Sequence, residues 1–369
     1  MSANLLYSDV EDSLRSSVRD LLAAQCPPEA VTGAYETDRP DYSGVWRALA
    51  AEVGVAALLV PEDLGGAGAT ARETATVLEE LGRAVTPVPF LSSAVLATVA
   101  LAGAGDRELL PRLADGTLTA TLVVPLSTAP GAAAPAVETS GDGLAGSVSS
   151  VPVDPLDDVL VVPVRGPAGT ELHTVRRDAP GLTVTPVVSL DMTRPLADVR
   201  LEGAGSTRVG DGDAAGAVDA ALLCGAALLA SEQVGVARWC LETTVAYLKQ
   251  RTQFGRPLGS YQAIKHRLAE LWAEIGSANA VARYAADCVA QGSDDVPTAA
   301  AVAQAYCSDV AVHAAEEAVQ LHGGIGMTWE HPAHLYLKRA KADQIALGTP
   351  DRHRTTLAGL VDLPAPSAR

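Results

Sequence analysis

The 369 residues carry 44 acidic against 27 basic side chains, a formal net charge of −17 with a pI near 4.8. That balance repels polyanions, which excludes nucleic-acid binding and attraction to an anionic membrane, and any anionic cofactor has to be held by local basic groups. The chain is longer than one core usually organises, and with 48% hydrophobic but only 4% aromatic residues its cores must be built from Ala, Leu and Val.

In chain order, residues 1–117 read as a helical domain. The opening residues contain neither a basic nor an apolar leader region, so no secretion signal is expected. Ser8 or Asp9 can cap a helix over 10–24, and apolar spacing predicts further helices over 45–53 and 70–81. Pro61-Glu-Asp-Leu-Gly-Gly66 reads as the turn between the last two. From 118 to 210 the texture changes to short β-branched runs between Gly and Pro, with strands predicted over 119–125, 159–163, 182–188 and 197–202: a small β domain. Residues 211–369 return to helices, over 214–250, 261–291, 296–322 and 331–347, with the pattern of an antiparallel four-helix bundle. The class is α+β.

The most apolar run, 220–231, is too short to cross a bilayer, so no membrane insertion is expected. The five cysteines, Cys26, Cys224, Cys240, Cys288 and Cys307, show no metal-ligand spacing. They read as reduced, packed thiols of a cytoplasmic protein without a metal site. The Pro-rich tail 363–369 is expected to fray.

The segment from Arg251 to Arg267 carries the chemistry. It joins two long helices through Arg251-Thr-Gln-Phe-Gly-Arg-Pro-Leu-Gly259. Arg251 offers a planar charged fork suited to a diphosphate, Phe254 an apolar face, and Gly255 and Gly259 backbone that a ligand can approach. Taken alone, Arg251 is equally accounted for as a helix C-terminal cation.

Four further segments follow the same order as in one family: Pro61-Glu-Asp-Leu-Gly-Gly66, Glu79-Glu-Leu-Gly-Arg83, Gln320-Leu-His-Gly-Gly-Ile-Gly-Met-Thr-Trp-Glu-His-Pro332 and Tyr336-Leu-Lys-Arg-Ala340. With the Arg251 motif they extend over nearly the whole chain, which resembles the acyl-CoA dehydrogenases, flavoenzymes that desaturate the Cα–Cβ bond of acyl-CoA thioesters. The resemblance implies that family's fold, FAD as cofactor and a CoA thioester as substrate. It assigns Arg251, Gln253 and Phe254 to the diphosphate and adenine end of FAD, with Leu258, Tyr261 and Ile264 walling the adenine. Gln320, Leu321 and Gly324 would contact the same end, Thr349 would reach flavin through its hydroxyl, and His322 would be a polar bundle residue.

The departures from the family are as informative. Abstracting a Cα proton needs a positioned, titratable oxygen. The two family positions for the basic glutamate fall on Leu347 and Gly225, so no catalytic residue is assigned. The ring-binding loop becomes Leu126-Ser-Thr-Ala-Pro-Gly-Ala-Ala-Ala-Pro135, the ring-stacking Trp position falls on Ser150, and the Thr position on Pro152. Asp191-Met-Thr-Arg194 reads as a structural turn with a surface ion pair. The chain thus resembles the short, base-less subunit of actinobacterial heterotetrameric acyl-CoA dehydrogenases of steroid side-chain type. That resemblance implies an α2β2 assembly with a base-bearing paralogue and a role in fatty acid or steroid side-chain β-oxidation, with electrons passed to an electron-transfer flavoprotein or to oxygen. Two alternatives stay open. One is an autonomous homo-oligomer with a non-standard base such as Glu232, about 10 Å along the helix from Gly225, or Glu330, Asp343 or Asp351. The other is a non-catalytic scaffold or CoA-ester-binding paralogue.

Overall fold

The computed structural model describes residues 5–34, 41–131 and 136–363; the tail beyond 363 and the 132–135 part of the Leu126 loop lie outside the described residues. Helix α1 (Asp9–Gln25) starts at a reciprocal cap: Glu11 N–H donates to the Ser8 hydroxyl at 3.2 Å and Ser8 N–H to the Glu11 carboxylate at 2.8 Å. After α2 (Pro28–Ala34), α3 (Ser43–Arg47) runs into a π-helical turn, Ala48–Val53. Thr70 and Glu73 form a second capping box at α4 (Ala71–Ala84). A π-helical segment, Phe90–Ala97, continues as α5 (Thr98–Gly103), and α6 (Leu110–Ala114) follows.

The sequence reading did not foresee α2, α6 or the helix over 90–103. The last is the instructive case: every side chain of Phe90–Ala97 is buried. A segment apolar all round carries no amphipathic period to read.

The middle of the chain forms a mixed sheet of β1 (Ala120–Leu122), β2 (Val137–Ser140), β3 (Gly143–Val151), β4 (Val159–Gly166), β5 (Gly169–Arg176), β6 (Leu182–Val187), β7 (Leu196–Ala204) and β8 (Thr207–Val209). The strand order is β6-β7-β3-β2-β4-β5-β8, with β1 parallel to β4. β3 is bulged opposite β7 between Val148 and Val151, and Ser150 takes φ 56° there.

Helices α7 (Ala215–Gln250), α8 (Gln262–Gln291), α9 (Val296–His322), α10 (Ala333–Ile345) and α11 (Pro350–Leu360) complete the fold. Helix α11 is a fifth beside the four helices expected over 214–347. Helix α10 stops because Leu347 (φ 54°) and Gly348 (φ 104°) turn the chain through the left-handed region. Thr349 then caps α11 through its hydroxyl, with Pro350 at the first position.

Helix α7 is long and apolar enough to cross a bilayer, more so than the run 220–231 suggested, but 89% of its most apolar 18-residue window is buried inside the fold. It is the axis of the protein. Helix α4 crosses it where Gly82 faces the Glu232 carbonyl and Gly235 faces the Glu79 carbonyl, and a Cβ at either glycine would collide with backbone. Around this crossing Glu79 accepts from Arg15 at 2.8 Å, from Tyr7 at 2.8 Å and from Arg238. All five cysteines are free and buried.

Candidate functional site

The two positions at which the resemblance puts a base lie against each other. A Cβ built on Gly225 would meet Leu96 Cδ2 at 2.5 Å and Leu347 Cδ1 at 3.1 Å. Leu347 is fully buried and Leu96 is 1% exposed. Leu347 keeps a left-handed backbone that costs a non-glycine residue about 1–2 kcal/mol, so the surroundings hold it there.

Those surroundings are the segments that resemblance assigns to a flavin ring. Leu347 N–H donates to the Leu126 carbonyl at 2.7 Å, and Leu126 N–H donates to the Ser150 carbonyl at 2.9 Å. The Ser150 N–H is taken up by Asp198 at 3.0 Å, the buried Pro152 carbonyl accepts from the Thr121 hydroxyl at 2.9 Å, and Gly131 N–H donates to Asp219. The three ring-site segments therefore bond to one another. Where the helical domain, the sheet and α7 meet, next to Leu96, Leu126 and Pro152, the remaining cavity is about 30 Å³. That is room for roughly one or two waters, not for an isoalloxazine.

The polar wall of the same cavity is an ion cluster, which corrects the expectation of a surface ion pair at Asp191–Arg194. Arg194 donates to both Glu232 oxygens at 2.6 and 2.8 Å and to Asp343 at 2.6 Å. Arg339 donates to Glu232 at 2.9 Å and to the Thr193 hydroxyl and carbonyl at 3.0 and 3.1 Å, and it pairs with Asp191 at 3.1 Å. Glu232, Asp191, Thr193, Arg339 and Asp343 are all buried. Burial first, and then the neighbouring Glu232 charge, raise the pKa of Asp343 against the pull of the two arginines. The cluster ties the β6–β7 connection to α7 and α10, and it leaves Glu232 saturated with guanidinium donors.

At the far end of α7 lies the second group of predicted residues. Thr252–Gln253 and Arg256–Pro257 pair as a minimal antiparallel hairpin, with Phe254 (φ 50°) and Gly255 (φ 77°) at its tip. Phe254 is 92% exposed. Leu258 N–H donates to the Arg251 carbonyl at 2.8 Å, and the Tyr261 hydroxyl to the Gln253 carbonyl at 3.2 Å. Arg251 and Gln253 are exposed, and Leu258, Tyr261 and Ile264 are half-buried. Gln320 and Leu321 close α9, and Gly324 lies in the 3₁₀ turn Gly323–Met327.

A ring stack brings these two groups to one end of the bundle. Tyr247, one turn before Arg251, stacks on His322 at 4.5 Å, and His331 packs tilted against His322 at 4.1 Å. Trp239 lies 6.4 Å from His331 and stacks on Tyr336 at 3.5 Å. His322 is thus a bundle residue whose ring is buried in this stack. Its Nδ1–H donates to the Ala318 carbonyl at 2.6 Å, and burial lowers its pKa.

Thr349 does not belong to this end. It sits two residues from Leu347, and Gly225 precedes Arg251 by some 26 residues of nearly continuous helix, about 39 Å at 1.5 Å per residue. Thr349 therefore stands apart from the other nine predicted cofactor residues. No group of His, Cys, Asp and Glu among the described residues could hold a metal ion.

Models of two acyl-CoA dehydrogenase domains match the chain, the N-terminal domain over residues 8–117 and the C-terminal domain over 215–360. Acyl-CoA dehydrogenase IpdE2 of Mycolicibacterium smegmatis is 39% identical over 343 residues, spanning 93% of this chain and 96% of the relative. Among solved structures, a variant of the Tcur3481-Tcur3483 steroid ACAD aligns with a TM-score of 0.85 at 29% identity, covering 96% of this chain and 98% of that one. The ChsE4-ChsE5 complex from Mycobacterium tuberculosis aligns with a TM-score of 0.86 at 28% identity, covering 98% and 100%.

Proposed function

The chain belongs to the acyl-CoA dehydrogenase family, and from that premise we propose that it is the base-less subunit of a heteromeric, FAD-dependent member. In this reading it completes the FAD site of a longer paralogue that supplies the glutamate and the ring contacts, in an α2β2 assembly acting on a bulky CoA thioester such as a steroid side chain. The observation that carries the proposal is the packing of Leu347 and Leu96 over Gly225 beside a cavity of about 30 Å³. The residues fit one end of the cofactor and not the other. The ring end is filled by this chain's own side chains, whereas the Arg251 hairpin and the Gln320–Gly324 turn are open to a diphosphate and an adenine.

When bound, FAD supplies the hydride acceptor for Cβ. The part of this chain is to neutralise and orient the adenosine diphosphate end through Arg251 and Gln253. Phe254, Leu258, Tyr261 and Ile264 offer apolar surface, and Gln320, Leu321 and Gly324 offer amide and backbone groups. Proton abstraction falls to the partner, and an electron-transfer flavoprotein is the acceptor we assign to the complex. Relatives solved as named pairs support the heteromeric reading. Against an autonomous enzyme stands Glu232, whose carboxylate is 3% exposed and bonded by two arginines. Against a pure scaffold stands the exposed hairpin, whose Arg251 guanidinium meets no carboxylate among the described residues.

The test is flavin absorbance and oligomer mass of the chain alone and co-purified with a glutamate-bearing paralogue. A colourless lone chain and a yellow pair with one FAD per heterodimer are expected. Stoichiometric FAD and acyl-CoA oxidation by the lone chain would overturn the proposal.

A further inference from the structure

Arg256 stands on the same hairpin as Arg251, and its placement is more specific than the sequence motif suggests. Its guanidinium carbon lies 3.8 Å from the centroid of the Tyr261 ring. The strand pairing sets Arg256 opposite Gln253, and the Tyr261 hydroxyl is tethered to the Gln253 carbonyl at 3.2 Å. Ring, hairpin and guanidinium are thus one unit held by main-chain and side-chain bonds. The geometry also leaves the arginine's chemistry available. A guanidinium stacked by its face keeps its in-plane N–H donors directed outward, and the stack removes rotamer freedom that would otherwise be lost on binding.

Acidic residues outnumber basic ones, 44 to 27, and many arginines here are engaged by carboxylates, as Arg267 is by Glu317. No carboxylate among the described residues lies within ion-pair distance of Arg251 or Arg256. Both are exposed, on the two flanks of one hairpin. Two uncompensated guanidiniums five residues apart match the two charged phosphoryl groups of a nucleoside diphosphate better than a single one does.

We propose that Arg256, pre-oriented on Tyr261, is the second guanidinium of a two-arginine clamp for the diphosphate of an adenine nucleotide. This rests on the reading of the Arg251 hairpin as the diphosphate handhold and adds a residue to it. Arg256 binds and positions and takes no part in proton or hydride transfer.

The experiment is calorimetric titration of the flavin-stripped heteromeric pair with ADP, comparing wild type with R251A, R256A, R256K and Y261L in this chain. All three positions are exposed or half-buried, on the hairpin or beside it, and unchanged melting temperatures verify intact folding. R256A is expected to weaken ADP binding about tenfold or more, the size of a lost charge-assisted hydrogen bond. R256K is expected to recover only part of this, because a point charge replaces the fork. Y261L should also weaken binding although it removes no charge. Full-strength binding by R256A together with a loss in R251A overturns the clamp and leaves the handhold standing. Unchanged binding in both R251A and R256A, or no ADP binding by wild type, overturns the handhold and the clamp with it.

Discussion

Leu347 stands over Gly225: its Cδ1 is 3.1 Å from where a Gly225 side chain would begin, and Leu96 closes the other side at 2.5 Å. Side chains from two points 251 residues apart in sequence thus fill the place where the resemblance puts a base. The contact is close enough for each residue to set what the other can be.

Leu347→Ala removes a fully buried side chain and should cost about 2–5 kcal/mol. Gly225→Ala in the wild-type background overpacks the site and should cost about 1–3 kcal/mol. In the Leu347→Ala background Leu96, the nearer contact at 2.5 Å, can shift into the space vacated by Leu347, so the cost should shrink. Urea denaturation of the four proteins gives the coupling. Strict additivity would mean that the two side chains do not compete for one volume.

Glu232→Gln tests whether the buried carboxylate is a base or a structural anion. It leaves Arg194 and Arg339 short of a charge in the interior, and a loss of about 3–5 kcal/mol of stability is expected. In an active complex the turnover of the remaining folded protein should be retained. Unchanged stability with abolished turnover would instead make Glu232 the base.

Glu11 should dominate the acid sensitivity of the N-terminal helix. Burial alone would raise its pKa, but hydrogen bonds from Arg283, the Ser8 backbone and Arg72 outweigh this and hold it at about 2. A depressed folded pKa means that the stabilisation is complete above the unfolded value near 4.5 and is lost as pH falls towards 2. Glu11→Gln should destabilise the protein at pH 7 and flatten its melting temperature between pH 4.5 and 2. A wild-type acid slope in the variant would contradict this.

His322 carries the opposite kind of group with the same sign of pH dependence. Its pKa is lowered from 6.5 by burial, so its neutral form is favoured in the fold. The contribution is present above pH 6.5 and is lost as pH falls through the lower folded value. His322→Phe keeps a ring against Tyr247 and His331 and gives up the bond to the Ala318 carbonyl, a loss of about 1 kcal/mol. The stability profile below pH 6.5 should flatten, as circular dichroism melts against pH would register.

Much of the architecture was legible because it is written locally. Ser8, Thr70 and the apolar spacing behind them announce α1 and α4, and the β-branched runs announce β4, β6 and β7. Besides α2, α6 and strands β2, β5 and β8, two segments escaped for reasons that can be named. Phe90–Gly103 is apolar on every side and so has no face to detect. Helix α11 depends on the left-handed turn at Leu347 and Gly348, which a leucine does not advertise.

Read as a string, the chain already states its inventory: leucine and glycine where the resemblance puts a carboxylate, a serine and a proline on the strand it assigns to a flavin ring, and arginine, glutamine and phenylalanine on a glycine-containing loop. How the inventory combines came from packing at long range. Packing put Leu347 and Leu96 over Gly225, turned Arg194 from a surface residue into a half-buried partner of Glu232 and Asp343, and set Gly225 about 39 Å of helix away from Arg251. The reason is physical. Propensity, capping and side-chain chemistry are properties of a residue and its near neighbours. Closure of a cavity, burial of a charge and the span between two ends of a helix exist only once distant segments pack.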